Sequence, residues 1–123
     1  MKIKNIPILL SLIVLTFSSL ACWRTNRPAL EFSPEALPEA SVDAVYDVEI
    51  QVSKNETPVY QLYVSEGALP QGLIFEYIEY EDKARIHGVP EEAGSFTFFV
   101  TAACLGTNVN GQVGTQEYTL VVK

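Results

Sequence analysis

Val42-Asp43-Ala44-Val45-Tyr46-Asp47-Val48-Glu49-Ile50-Gln51-Val52 alternates along its whole length. Val42, Ala44, Tyr46, Val48, Ile50 and Val52 fall on one face, and Asp43, Val45, Asp47, Glu49 and Gln51 on the other. An extended chain points successive side chains to opposite sides. This period therefore predicts one long strand with a face in a core and a face in water.

The same reading extends down the chain. Lys54-Asn55-Glu56-Thr57-Pro58 reads as a turn, and Val59 to Ser65 as a second strand with Tyr60, Leu62 and Val64 inward. Leu73 to Tyr80 follows, with Leu73, Phe75 and Tyr77 on one side. Glu81-Asp82-Lys83 is a polar turn before a short return strand, Ala84 to His87. Ser95 to Ala103 turns Phe96, Phe98, Val100 and Ala102 inward, and Thr115 to Val122 does so with Tyr118, Leu120 and Val122. No stretch beyond the N-terminal segment has helical periodicity, and no internal repeat is evident. Short strands separated by turn signals over roughly 100 residues fit an all-β sandwich.

Three short pieces are set between these strands: Leu69-Pro70-Gln71-Gly72-Leu73, Ile86-His87-Gly88-Val89-Pro90 and Ala93-Gly94-Ser95-Phe96, with Tyr118-Thr119-Leu120-Val121-Val122 closing the chain. Pro70 presets a turn, Gly72 permits a positive φ after it, and Gly88 with Pro90 stops the return strand. The combination resembles the Ig-like (cadherin-like) domains of bacterial surface proteins, over about residues 38–123. The resemblance implies an Ig-like β-sandwich of about seven antiparallel strands and a binding rather than a catalytic role. The segment Phe75 to Arg85 departs from it as a longer, aromatic and acidic hairpin, and the chain carries a single copy of a domain that often occurs in tandem. These are scaffold positions, so they speak for fold more than for ligand.

The N-terminus carries Lys2 and Lys4, an apolar run from Ile6 to Phe17, and Ser18-Ser19-Leu20-Ala21 before Cys22. A basic start, a short apolar core and small residues at the cut make a secretory signal peptide over residues 1–21. Ala21-Cys22 resembles the lipobox of bacterial lipoproteins, although Ser19 and Leu20 stand in the opposite sense to the usual pattern. The resemblance implies diacylglycerol on Cys22, palmitate incorporation, and a location in the bacterial cell envelope, attached to a membrane and periplasmic or surface-exposed. An ordinary cleaved signal and an uncleaved anchor are the alternatives. Residues 22–40 hold Pro28, Pro34 and Pro38 and read as an extended tether that lifts the domain off the membrane, with Ala29 to Phe32 as a short first strand. The sandwich domain is expected over 41–123.

Of 8 lysines and arginines, Lys2 and Lys4 leave with the signal, so 6 basic side chains stand against 15 acidic ones. That balance argues against nucleic acid and against electrostatic docking on anionic lipid. Cys104 reads as a small, partly buried hydrophobe, with a Cys22–Cys104 disulfide as its rival.

Catalysis is poorly served. The one histidine, His87, turns outward, no nucleophile elbow is present, and Glu79, Glu81 and Asp82 sit at a hairpin tip rather than in a cleft. No cofactor is expected. Calcium is the one ion weighed: Glu79, Glu81, Asp82, Glu91 and Glu92 supply oxygens if their two turns meet. A candidate binding loop is Gly106, Thr107, Asn108, Asn110 and Gly111, where Asn110-Gly111 is a hairpin signal. A candidate surface patch is Tyr63 and Phe99, on the wrong face for the core together with Ile74 and Ile78. The function expected is a single Ig-like module for protein or glycan binding or adhesion; the alternatives are a structural subunit of an envelope assembly and a calcium-binding module.

Overall fold

A computed structural model describes residues 27–106 and 110–123. The signal segment, Cys22, Trp23, Thr107 and Asn108 lie outside the described residues. Among the described residues there are seven strands: β1 Glu31–Ser33, β2 Tyr46–Ser53, β3 Val59–Gly67, β4 Leu73–Ile78, β5 Lys83–Gly88, β6 Gly94–Cys104 and β7 Val113–Val122. They form two antiparallel sheets, ordered β1-β2-β5-β4 and β3-β6-β7. The described residues contain no helix.

Alternation places the core between the sheets. Ile50, Val52, Ala84 and Ile86 from one sheet face Leu62, Phe98, Val100, Ala102, Tyr118 and Leu120 from the other, all buried. Phe98 and Tyr118 pack at 6.0 Å between ring centroids in a tilted arrangement. The long alternating segments of β2 and β6 are internal strands of their sheets, joined by the short β5, while β7 lies at an edge.

Three local readings change. The long strand from Val42 is cut at its start. Asp43 takes φ +61, which bends residues 41–45 into a turn, and β2 begins only at Tyr46. Ala44 is consequently exposed and Val45 stands 83% exposed. In β3 a register shift between Val59 and Gln61 inserts an extra residue against β6. Such a bulge reverses the facing of what precedes it, so Val59 is buried and Tyr60, expected inward, points out. Residues 28–40, read as a tether, pack against the sandwich. Phe32 is buried and β1 pairs with β2, Glu31 facing Ser53. Beyond the cis Ser33–Pro34 peptide the segment crosses to the other sheet, where Ala40 bridges Val122 in parallel. Tyr118 donates its hydroxyl to Pro34 O at 2.8 Å and Tyr46 donates to Pro38 O at 2.9 Å. The folded unit includes residues 28–40 as well as 41–123, because this segment supplies apolar side chains and backbone groups that both sheet edges take up.

The motif pieces meet in space. Val89 N donates to Gly72 O at 3.1 Å and Glu91 N to Gln71 O at 3.0 Å. A Cβ on Gly72 would overlap Val89 O, and one on Gly88 would overlap Gly72 O. The two glycines are needed because two backbones touch there.

Candidate functional site

The sandwich has two unlike ends. Arg27, the 54–58 turn, the 79–82 turn and residues 105–106 and 110–112 gather at one, which follows from β1 starting opposite the end of β2 and β3 starting opposite the end of β6. Lys123, the 68–72 turn and the 89–93 turn gather at the other.

The Arg27 end is held by polar side chains. Gln112, only 7% exposed, accepts from Glu56 N at 2.7 Å and donates to Pro28 O at 2.8 Å and Lys54 O at 3.1 Å. One amide therefore joins the incoming chain, a turn and the loop. Arg27 pairs with Glu56 at 3.1 Å and donates to Asn110 O at 2.9 Å. Leu105 N donates to Pro58 O, and Thr57 Oγ1 donates to Leu105 O. Within the candidate loop, Gly106 and Asn110 are exposed. Gly111 lacks the positive φ of a tight type I′ turn, and the loop is instead closed by Cys104 N donating to Gln112 O at 2.8 Å. Gln112 was missed in the sequence because a glutamine beside a Gly/Asn loop reads as solvated.

Beside this knot is a hollow of about 150 Å³ lined by Pro58, Tyr60, Tyr77, Glu79, Tyr80 and Leu105. Tyr77 donates to Val59 O at 2.7 Å, and burial pushes its hydroxyl pKa up. Tyr60 at 54% and Tyr80 at 91% exposure present ring faces to solvent. The bulge explains Tyr60. Tyr80 projects from the hairpin tip, where it takes φ +66.

Tyr63 and Phe99 share the outer face of the β3-β6-β7 sheet. Tyr63 pairs with Thr101 and Phe99 with Glu66, which makes the two aromatics diagonal neighbours. Tyr63 is 41% exposed and Phe99 half-buried. Around them Thr101 is hydrogen-bonded to Ser65 and to Thr115, each at 2.8 Å, and Thr97 to Thr119 at 3.0 Å. Ile74 and Ile78 lie on β4 of the opposite sheet, so they do not join this patch.

The outer face of that opposite sheet is a lattice of alternating charge. Arg85 pairs with Asp47, Lys83 with Glu49 at 3.4 Å and Glu81 at 3.0 Å, and His87 with Glu76 at 3.0 Å. The Arg85 hydrogen bond holds the Asp47 carboxyl below the usual range, and the Glu81 hydrogen bond raises Lys83. His87 faces out, as its alternation requires. At the Lys123 end of the same face Ile74 on β4, Val45 just before β2 and Val89 just after β5 are exposed aliphatics.

The five carboxylates considered for calcium do not converge. Glu79, Glu81 and Asp82 precede β5 and Glu91 and Glu92 follow it, at opposite ends of the sandwich. Asp82 is spent on structure, accepting from Val59 N at 2.8 Å and Asn55 Nδ2 at 3.0 Å. Among the described residues no three His, Cys, Asp or Glu side chains are placed to share a metal ion. Cys104 is buried, has no disulfide partner among the described residues, and has its thiol pKa raised by burial.

No family model and no curated protein matches the chain. Solved structures do. An endo-fucoidan hydrolase of glycoside hydrolase family 107 matches at TM-score 0.59 and 15% identity over 81% of this chain. The SrpA adhesin of Streptococcus sanguinis matches at 0.59 and 12% identity over 80%. The titin M3 domain matches at 0.50 and 22% over 76%. The chain spans 14% of the hydrolase, 59% of the adhesin and 96% of the titin domain. At such identities the likeness is one of fold: the chain is an immunoglobulin-like β-sandwich, as its alternation and motifs led one to expect.

Proposed function

We propose that the chain is a non-catalytic envelope lipoprotein, held in a bacterial membrane through Cys22, that presents one immunoglobulin-like module to a protein or glycan. The observation that carries the binding role is the outer face of β3-β6-β7. There Tyr63 and Phe99 lie as diagonal neighbours among hydrogen-bonded threonines, with Glu66 and Glu117 opposite Phe99 on the two flanking strands. Exposed aromatics grouped on one face of a small domain mark contact surfaces. The occurrence of the same sandwich in an adhesin supports this reading. The signal-like segment and Ala21-Cys22 support the anchor.

A second reading, a structural subunit of an envelope assembly, is favoured by Val45, Ile74 and Val89 at the Lys123 end. One experiment separates the two. A photo-crosslinking residue is placed at position 63 or at position 45 of the full-length protein in cells. A discrete adduct from position 63 supports presentation by the sheet face. An adduct from position 45 alone supports the assembly. Silence at both, with a folded protein, sinks the binding role. Palmitate labelling that persists in Cys22→Ala would remove the anchor.

A further inference from the structure

The packing of residues 28–40 onto the sandwich changes what lies near the membrane. An extended tether from residue 22 to residue 40 would span up to ~60 Å. In the fold the chain is already fixed at its beginning. Arg27 is paired to Glu56, Pro28 O is bound by Gln112, and β1 starts at Glu31. Five residue steps separate Cys22 from Arg27. Fully extended, they reach at most ~17 Å.

We infer that the Arg27 end of the sandwich docks on the bilayer interface, with Tyr60, Tyr80 and Leu105 as the lipid-contacting side chains. This rests on the anchor at Cys22 proposed above. Exposure at that end is of the right chemistry. Tyr80 is almost fully exposed, Tyr60 and Leu105 are about half exposed, and Val113 beside them is exposed as well. A tyrosine ring with a polar tip is comfortable where headgroups meet acyl chains. Trp23, in the short connection, has the same preference.

Charge does not supply the attraction. Glu31, Glu56, Glu79, Glu81 and Asp82 stand at this end against Arg27, Lys54 and Lys83. The contact is therefore aromatic and largely insensitive to salt, and it needs no anionic lipid. The occupant is then a lipid surface held close by the chain itself. Leu105 then faces the membrane, and the Lys123 end and the sheet faces become the accessible surfaces.

The test uses the full-length lipidated protein in phosphatidylcholine vesicles containing brominated acyl chains, which quench tryptophan by contact. Trp23 is the one tryptophan and reports the anchor. In a Trp23→Phe background, Tyr80→Trp reports the Arg27 end and Val45→Trp the far end, ~25 Å away along β2. The inference expects loss of fluorescence from Trp23 and from the probe at position 80, unchanged in high salt, and no loss from the probe at position 45. Quenching of Trp23 with none at position 80 would overturn the docking and leave the anchor standing. No quenching of Trp23 would remove the anchor and this inference with it. Equal quenching at positions 80 and 45 would mean that the domain lies on its side, which also overturns it.

Discussion

Replacing Gln112 with alanine tests how the Arg27 end is assembled. The side chain makes three hydrogen bonds to backbone groups of Glu56, Pro28 and Lys54, at 2.7, 2.8 and 3.1 Å, and is nearly buried. At ~1 kcal/mol net for each, the loss amounts to roughly 3 kcal/mol, a large part of the stability of a domain this size. It appears as a fall of ~15 °C in Tm, or as a lower urea midpoint with an unchanged slope. Gln112→Glu is expected to be worse. A carboxylate still accepts from Glu56 N but cannot donate, and it sets a negative charge against two carbonyl oxygens. Gln116→Ala is the matched control, because that side chain bonds only the neighbouring Glu117 O at an exposed site; it should move stability by less than ~0.5 kcal/mol. If Gln112→Ala costs less than ~1 kcal/mol, water replaces the amide freely. The view of this residue as the joint between the incoming chain and the loop is then wrong.

Two further outcomes follow from the packing. Burial holds the Tyr46 and Tyr118 hydroxyls protonated up to about 12, against 10.0 for an unburied tyrosine. Raised folded-state values mean that their stabilisation is complete below about pH 10 and is lost as pH rises towards 12; melting temperature against pH should fall in that window, and the Tyr46→Phe/Tyr118→Phe variant should flatten it. Gly72→Ala should cost roughly 2–4 kcal/mol by chemical denaturation, because φ is +92 and the new methyl meets Val89 O.

The alternation that predicted strands was a statement about faces, and it held wherever neighbouring strands pair without interruption, as along β6 and β7. It failed where one residue changed the count. The extra residue before Gln61 turned Tyr60 outward, and the positive φ of Asp43 ended what looked like a continuous strand. Neither leaves a mark in hydrophobic pattern alone, since both depend on what the partner strand does. The tether reading failed for a related reason. Prolines oppose helix but not packing, and Leu30, Phe32, Leu37 and Ala40 between them supplied enough apolar surface to be drawn in. The motif glycines were legible because a required positive φ is written into residue type. Of the candidate sites, Tyr63 and Phe99 were brought together by the sheet, the acidic turns were separated by the length of β5, and Gln112 had no pattern to announce it.

The parallel bridge between Ala40 and Val122 has a mechanical meaning. Ala40 N donates to Val121 O, Lys123 N to Ala40 O and Val42 N to Lys123 O, at 2.9 Å each. The N-terminal side of this segment leads back to the Arg27 end, and β7 runs out at the opposite end. A load applied between the two termini lies along these strands, so the three bonds are sheared together and none opens ahead of the others. A domain hung at one end and gripped at the other would resist tension at the place where Ala40 is joined to the last strand.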